Sequence, residues 1–454
     1  MRRREEQLVT SALRALELFT GAGGLALGTH AAGFRHAALL DWNREACATL
    51  RENIRHDTVS GVSAWTVVEG DVRSCDYASF GPVRLVAGGP PCQPFSIGGK
   101  HRGMDDGRDM IPEFIRAIRE VQPDAFIFEN VKGLTRTAFR NYLSYIELRL
   151  QHPEVVARLG DTWEDHLARL EDVHTRGDRD GLHYRIVRRL LNAADYGVPQ
   201  TRERVLIVGF RRDLDADWHF PEPTHSRERL HYDQWVSGKY WEERELEAPD
   251  PPARLAGAIG RLPTLFPPEK KPWATLRDAI AGLPRPREPG EQPGALFHRL
   301  QPGARAYPGH TGSPLDLPAK TLKAGVHGVP GGENMIAFPS GRVRYLTVRE
   351  AARVQTFPDA WRFTGSWTET MRQLGNAVPM RLAVILARSV AARLSHDDVL
   401  ERAGAPPTNP NPCSPAALEN MCGPLKPPRI SASQTSRAAT WWSFHYGSRW
   451  PSAS

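Results

Sequence analysis

The stretch from Arg14 to Trp42, RALELFTGAGGLALGTHAAGFRHAALLDW, decides the fold. Its first part, RALELFT, is an apolar run of the length of a buried strand, and HAALLDW is a second run of this kind. Between them, GAGGLALGTHAAG begins with a glycine-rich turn and continues as a helix. Strand, turn, helix and strand in this order predict a βαβ unit with two parallel strands.

The same alternation continues to about residue 212. Further strands are predicted in WTVVEGD, VRLVAGG, DAFIFENV, HYRIVRRLLNAA and RVLIVGF. Helices are predicted in NREACATLRENI, in MIPEFIRAIREVQ and in a charged stretch over about residues 138–170. We therefore predict an α/β fold with a doubly wound, mostly parallel sheet. Ligands of such sheets bind beyond the carboxyl ends of the strands, so functional residues are expected where the apolar runs stop.

The pattern changes after this sheet. Residues 213–341 are rich in Pro, His, Arg and Trp and lack regular periodicity, which predicts a second, smaller domain inserted between two parts of the core, residues 12–212 and 342–397. In the second part, MRQLGNAVPMRLAVILARSVAARL predicts one long amphipathic helix packed on the first sheet. Residues 403–454 form a Pro- and Ser-rich tail that is expected to be disordered.

Composition limits the class of protein. The 454 residues carry a formal net charge of +7, which suits a polyanionic partner but is equally typical of a slightly basic enzyme. No apolar run approaches the roughly 20 residues that span a bilayer, and no signal peptide is recognisable. We therefore expect a cytoplasmic protein that does not associate with a membrane. Five cysteines without paired metal spacing predict neither a disulfide framework nor a metal site, so a functional cysteine would act alone.

Polar residues at three successive strand ends indicate a nucleoside-containing cofactor. The turn Gly21–Gly24 lets a ligand approach the backbone closely, although it departs from the G-x-G-x-x-G pattern. Asp41, about 20 residues later, is placed to bind ribose hydroxyls, and Trp42 offers an aromatic face to an adenine ring. Asp71 follows the third strand and could accept a hydrogen bond from an exocyclic amine. A turn glycine, a packing tryptophan and a helix-capping aspartate are the ordinary alternatives.

The fourth strand ends in GGPPCQPFS, residues 88–96, whose prolines fix the backbone around Cys92. Lone cysteines are usually buried apolar residues, but a thiol at a strand end faces the site. The fifth strand places Glu129 beside it, and QTRER supplies Arg202 and Arg204 at alternate positions, which on a strand lie on one face. A thiolate can add to an electron-poor ring while an acid protonates the ring, and this addition prepares another ring atom to accept a methyl group from a sulfonium.

Six blocks resemble the DNA (cytosine-5)-methyltransferases of bacterial restriction–modification systems, in that family's order. They are LFTGAGG, GGPPCQPFS, ENV, QTRER, RYLTVREAARVQTFPD and QLGNAVP, and they extend over about residues 12–394. Two positions depart mildly from the family pattern: Glu17 stands where Asp is usual, and Thr20 where Ser or Ala is common. The resemblance implies the S-adenosylmethionine-dependent methyltransferase fold, with residues 213–341 as a target-recognition domain.

The resemblance also implies roles for individual residues. Cys92 would attack C6 of the target cytosine, Glu129 would protonate N3 or bind it, and Arg204 with Arg202 would support Glu129 and the flipped base. The cofactor, S-adenosylmethionine, would be bound without a metal by Phe19, Gly21, Gly23, Gly24, Asp41, Trp42, Asp71, Val72, Pro91 and Asn376. A loop over residues 96–106 would close over the DNA, with contacts from Gln93, Ser96, Lys100 and Arg102.

The expected partner is double-stranded DNA, with a cognate restriction endonuclease acting on the same site, and the enzyme is expected to be a monomer. One alternative is a tRNA cytosine-5 methyltransferase of the same fold, but the large segment 213–341 favours duplex DNA. Another is a DNA-binding protein that keeps the fold without catalysis. The presence of Cys92, Glu129 and both arginines argues against it.

Overall fold

The protein is built around one large sheet. The computed structural model describes residues 13–91, 109–177, 181–287, 295–308, 310–324 and 334–403. Seven strands form the sheet in the order β3-β2-β1-β4-β5-β7-β6: β1 Arg14–Leu18, β2 Arg35–Asp41, β3 Val67–Glu69, β4 Leu85–Gly88, β5 Ala125–Val131, β6 Tyr184–Asn192 and β7 Glu203–Arg211. The first five strands pair in parallel, and β7 runs antiparallel to both β5 and β6. The predicted mostly parallel α/β sheet is confirmed.

Helices cover both faces of this sheet. Those of the first half are α1 Gly24–Ala31, α2 Arg44–His56, α3 Ile111–Val121, α4 Arg140–Gln151 and α5 Trp163–Arg176. Alternate side chains of a strand point to opposite faces. On β5, Phe126 and Phe128 therefore pack with α3 and α4, whereas Ile127 packs on the other face.

The charged stretch over residues 138–170 is not continuously helical. α4 ends at Gln151, and α5 begins only at Trp163. Pro153 disfavours helical backbone at His152, and Thr162 with Asp165 forms a capping box that starts the new helix.

The long helix predicted in residues 371–394 is two helices, α11 Trp367–Asn376 and α12 Met380–Ala403. Ala377 is extended, with φ −63° and ψ 146°. Pro379 explains the break because it lacks an N–H donor and disfavours helical backbone at the residue before it. α12 does pack on the sheet, as predicted, with α1 beside it. The contact between α1 and α12 is so close that a Cβ on Gly28 would lie 2.3 Å from the Ala383 Cβ.

Short elements dominate the remaining described residues. The strands are β8 His225–Ser226, β9 Lys271–Pro272, β10 Ser313–Pro314, β11 Met335–Ala337 and β12 Val343–Tyr345. The helices are α6 Arg227–Trp235, α7 Lys239–Glu242, α8 Ala256–Ile259, α9 Leu276–Ile280 and α10 Val348–Val354. Among the helices described, none is both long and apolar enough to cross a membrane.

Side chains of the segment 213–341 belong to three of the described apolar clusters, two of which also contain strand residues of the main sheet. Leu230, Tyr240, Trp241 and Trp273 form a small cluster with Ala194. Leu276, Leu322 and Ile336 belong instead to a larger cluster that contains Leu27 of α1 and Trp361. The later part of the segment thus shares a core with the glycine turn and the C-terminal helices. The domain boundaries stay a prediction, and the tail from residue 404 lies outside the described residues.

Candidate active site

The turn after β1 has an unusual backbone. Phe19 and Gly21 both have φ 57°, and Gly23 has φ 89°. The left-handed region is uncommon for a residue with a side chain, so Phe19 is held there by its surroundings. Asp41 at the end of β2 supplies part of that support: its carboxylate accepts hydrogen bonds from the Gly21 N–H at 2.7 Å and the Asn43 N–H at 2.8 Å. Burial raises the pKa of the Asp41 carboxyl, and these two bonds oppose the rise.

The connections between the C-terminal helices close over this turn. The Trp361 indole donates to the carbonyl of Ala22 at 3.2 Å. A Cβ on Gly24 would lie only 2.3 Å from the carbonyl oxygen of Val378, so only glycine fits here without a shift. The blocks LFTGAGG and QLGNAVP therefore meet in space. Asn376, the last residue of α11, is exposed at this junction.

Trp42 and Asp71 follow neighbouring strands. The side chain of Trp42 is 75% exposed, which leaves its aromatic face accessible. Asp71 caps a short turn: its carboxylate accepts from the Arg73 N–H at 2.9 Å and forms an ion pair with the Arg73 guanidinium. These bonds from Arg73 lower the pKa of Asp71. Asp71 therefore acts as a cap, as the ordinary alternative predicted. Its carboxylate is nevertheless partly exposed and stays accessible, whereas the next residue, Val72, is buried.

The start of the cysteine turn is fixed to β5. The Asn130 side chain donates to the carbonyl of Pro90 at 3.1 Å. A Cβ on Gly89 would lie 2.7 Å from Oε2 of Glu129, so the absence of a side chain at Gly89 makes room for that carboxylate. Pro91 accepts a hydrogen bond from the Met110 N–H at 3.3 Å. Cys92, Gln93, Ser96, Lys100 and Arg102, with the rest of the predicted loop 96–106, lie outside the described residues.

Glu129 and Arg204 form a buried ion pair. Nε of Arg204 lies 2.7 Å from Oε1 of Glu129, and the two side chains are only 11% and 9% exposed. The pairing of β5 with β7 brings them together, since Val131 is opposite Arg204 in the register. Burial lowers the pKa of the Arg204 guanidinium and the charge of Glu129 opposes this, but arginine stays protonated in proteins. A charge held so close fixes the position of the Glu129 carboxylate.

Arg202 occupies a different environment from Arg204. Its side chain is fully buried, and its guanidinium donates to the carbonyls of Leu322 at 3.0 Å and Gly375 at 2.7 Å. Burial lowers its pKa well below the usual value. The strand alternation that we assumed does not apply, because β7 begins at Glu203 and Arg202 precedes it. In the described residues Arg202 thus binds main-chain carbonyls instead of Glu129. Through the carbonyl of Gly375 it connects the block QTRER to the block QLGNAVP.

Two glutamines that sequence reasoning did not single out connect the same blocks. Gln200 accepts from the Leu322 N–H at 3.0 Å and donates to the Gln355 side chain at 3.2 Å. Gln355 in turn donates to the carbonyl of Leu374 at 2.5 Å. The only available signal was that both lie within the blocks QTRER and RYLTVREAARVQTFPD. Asn130, the middle residue of ENV, was missed in the same way.

Comparison with known proteins agrees with this geometry. The family model for the C-5 cytosine-specific DNA methylases matches residues 13–152, 169–276 and 298–392. The chain belongs to this family. It is 32% identical over 395 residues to the Type II methyltransferase M.NgoMIV of Neisseria gonorrhoeae, covering 85% of this chain and 99% of the relative. It is also 32% identical over 386 residues to M.PspPI of a Psychrobacter species, covering 84% and 79%.

A solved structure supports the fold alone. A methyltransferase encoded within an Escherichia coli prophage aligns with a TM-score of 0.50 and 21% identity, covering 84% of this chain and 99% of the other. The family membership establishes the activity: the protein is a DNA cytosine-5 methyltransferase. The methyl donor that the family implies is S-adenosylmethionine.

The turn after β1 suits a donor that carries a nucleoside. Glycines without side chains, a left-handed Phe19 and the exposed ring of Trp42 together leave backbone and an aromatic face free for a ligand. Within the part of the chain that the structure describes, no group of three or more His, Cys, Asp or Glu residues could hold a metal ion.

Proposed function

We propose that this methyltransferase acts on a cytosine flipped out of a specific double-stranded DNA sequence, through a covalent bond between Cys92 and C6 of the base. The observation that carries the proposal is the buried pair of Glu129 and Arg204. It lies where β5 ends, and Asn130 ties it to the turn that leads into Cys92. Addition to a pyrimidine ring requires an acid at a fixed position and a nucleophile close to it, and the thiol of Cys92 is proposed to be that nucleophile.

The reaction begins with the cytosine ring. Sγ of the Cys92 thiolate forms a bond to C6, the electron pair of the C5–C6 double bond moves towards C5, and Glu129 donates a proton or hydrogen bond to N3. Arg204 keeps the Glu129 carboxyl in place. After C5 has received the methyl group it also carries its original hydrogen. A base removes that proton, the C5–C6 double bond re-forms, and the bond to Cys92 breaks, so the thiolate is regenerated; a proton received by N3 returns to Glu129.

S-adenosylmethionine, when bound, supplies an electrophilic methyl group on a sulfonium. Its site is proposed at the carboxyl ends of β1, β2, β3 and β4. Trp42 would contact the adenine, and Asp41 would bind the ribose while it holds the turn in shape. The other proposed contacts are Phe19, Gly21, Gly23, Gly24, Asp71, Val72, Pro91 and Asn376.

Base flipping requires contacts that stabilise the open duplex. Removing a cytosine from the stack costs a few kcal/mol. Contacts from Lys and Arg side chains to phosphates offset this cost and make binding dependent on salt. Lys100 and Arg102 are proposed to provide such contacts, with Gln93 and Ser96 in the same loop. Residues 213–341 are proposed to read base edges in the major groove.

The biological role proposed is protection of DNA from a cognate restriction endonuclease that recognises the same sequence. The support is the similarity to several bacterial Type II methyltransferases over about 85% of the chain. We propose that the enzyme acts as a monomer in the bacterial cytoplasm.

A comparison of two nucleic acid substrates tests the proposal. The purified protein is incubated with labelled S-adenosylmethionine and either genomic DNA or total tRNA, and the label in each is counted. We expect label in DNA only, whereas label in tRNA only would show that the alternative tRNA activity is correct. Sequencing 5-methylcytosine in a host that expresses the protein would identify the recognition sequence.

A cysteine variant tests the covalent step separately. Cys92→Ser should lose methyl transfer while it still binds DNA, because the hydroxyl is a much weaker nucleophile but has almost the same size. Full activity of this variant would refute the covalent mechanism without affecting the assignment of the substrate.

A further inference from the structure

The charge of the segment 213–341 and its flank is strongly uneven. Residues 213–250 contain 11 Asp and Glu but only four Lys and Arg, whereas residues 251–345 contain 13 Lys and Arg and six Asp and Glu. The second stretch alone therefore has the same net charge, +7, as the whole chain. A polyanion is attracted to residues 251–345 and repelled by residues 213–250.

Within the basic part, the described residues between Arg299 and Lys323 present cations to solvent; we call them the Tyr307 segment. Arg299, Arg305 and Lys323 are exposed. The one acidic residue in this range, Asp316, is engaged by Arg277 at 2.6 and 2.9 Å and by the hydroxyl of Tyr240 at 2.8 Å. No uncompensated carboxylate of the segment therefore opposes an approaching phosphate.

The segment also presents an aromatic surface. The rings of Tyr307 and His310 are stacked with their centroids 4.3 Å apart and a tilt of 36°. The two residues exchange main-chain hydrogen bonds, from the Tyr307 N–H to the His310 carbonyl at 3.3 Å and in the reverse direction at 2.8 Å. Tyr307 is nevertheless 48% exposed, so one side of this supported ring is open to solvent.

Hydrogen bonds connect the segment to the block that carries Arg204. The Thr201 N–H donates to the Ala319 carbonyl at 2.8 Å, and the Thr321 hydroxyl donates to the Thr201 carbonyl at 2.7 Å. On the other side, Lys320 donates to the Thr311 hydroxyl at 3.1 Å, next to His310. The stacked rings are thus joined through a short series of contacts to the residues that precede β7.

We propose that the Tyr307 segment binds the DNA around the target cytosine, and that Tyr307 stacks on a base left without a neighbour when the cytosine flips out. Stacking on an aromatic side chain is tolerant of sequence and replaces part of the lost base stacking. Arg299, Arg305 and Lys323 bind the adjoining phosphates. This inference rests on the proposed function and assigns a DNA contact to one particular part of the predicted recognition domain.

The test measures DNA affinity over a range of salt concentrations, together with methyl transfer. Tyr307→Ala should weaken binding about 5- to 150-fold, the range expected for the loss of one stacked base. Tyr307→Phe keeps the ring and should bind as the wild type does. When the logarithm of the DNA-binding constant is plotted against the logarithm of the salt concentration, Arg305→Ala should make the slope less steep by about 0.9, the value for one lost phosphate contact.

Two matched controls lie on α5 and the connection before it. Leu159→Ala removes a fully exposed apolar side chain elsewhere on the surface, and Arg176→Ala removes an exposed arginine that pairs with Asp172. Neither should change affinity or salt slope. Thermal unfolding should be unchanged for Tyr307→Ala, because the side chain is half exposed.

Each outcome has one meaning. A wild-type protein that does not methylate DNA refutes the proposed function itself. If the wild type is active and Tyr307→Ala binds and methylates DNA equally well, only the present inference fails. If Tyr307→Phe is as weak as Tyr307→Ala, the hydroxyl and not the ring makes the contact, and the stacking is refuted.

Discussion

Replacement of Gly89 by alanine should impair catalysis without unfolding the protein. The new Cβ would lie 2.7 Å from Oε2 of Glu129, whereas ordinary contacts begin at 3.4 Å. The backbone at this position lies outside the left-handed region, so alanine causes no conformational strain of its own. The carboxylate of Glu129 is therefore the group that has to move.

The size of the effect follows from this clash. The oxygen must shift by about 0.7 Å, and misplacement of a catalytic group by about 1 Å can cost around 100-fold in rate. The carboxylate cannot move freely, because Arg204 holds it at 2.7 Å and both side chains are buried. We expect the rate of methyl transfer to fall about 10- to 100-fold, and the affinity for S-adenosylmethionine to change little.

The assay is single-turnover transfer of labelled methyl groups to DNA, with thermal unfolding measured in parallel. Gly70→Ala is the matched control: Gly70 follows β3 near the same edge of the sheet, and a Cβ there meets nothing within 4 Å. It should have the wild-type rate. If Gly89→Ala also keeps the wild-type rate while folded, the position of the Glu129 carboxylate does not matter for catalysis, and the reasoning is wrong.

Three further variants have distinct expected effects. Asn130→Ala removes the hydrogen bond to the Pro90 carbonyl. The rate of methyl transfer should fall about tenfold, and the unfolding free energy should fall by about 1 kcal/mol. An unchanged rate would show that this bond does not position the thiol. Trp42→Ala should raise the KM for S-adenosylmethionine. Because the ring is exposed, kcat and the melting temperature should stay almost unchanged. An unaltered KM would contradict the proposed contact of Trp42 with the adenine. Burial raises the pKa of the Glu17 carboxyl well above its usual value. The folded state therefore keeps a proton on Glu17 at a pH at which the unfolded chain has released it. The stability that this bound proton contributes is lost as the pH rises through the folded pKa. The variant Glu17→Gln does not titrate at this position, so it does not lose stability in this way. Its unfolding free energy relative to the wild type should increase by up to about 1.4 kcal/mol per pH unit above about pH 5. A difference between the two proteins that is independent of pH would refute the burial argument.

The sheet could be predicted from the sequence because its strands are short apolar runs and several of them are followed by a helical stretch. The glycine turn and Asp41 were also placed correctly at strand ends, since the carboxyl ends of parallel strands meet at one edge. Their predicted contacts with the methyl donor stay predictions. The ion pair of Glu129 and Arg204 depends on the register of β5 and β7, which a single sequence does not specify.

Other features depend on contacts between distant segments. Arg202 looked equivalent to Arg204, but the carbonyls that bind it belong to Leu322 and Gly375, more than a hundred residues away. The break before α12 could have been predicted from Pro379, but apolar residues at helical spacing on both sides of it concealed the interruption. The capping of Asp71 by Arg73 is local, but its spacing alone does not distinguish a cap from a ligand contact.

Trapping of the covalent intermediate tests the central claim most directly. In DNA that contains 5-fluorocytosine the C5 position carries fluorine, so no proton can be removed after methyl transfer and the bond to the enzyme persists. The wild-type protein should form a complex with this DNA that survives denaturation, and peptide mass analysis should place the attached nucleotide on Cys92. Methylation of ordinary cytosine without any such complex, or attachment to Cys47 or Cys75, would contradict the account.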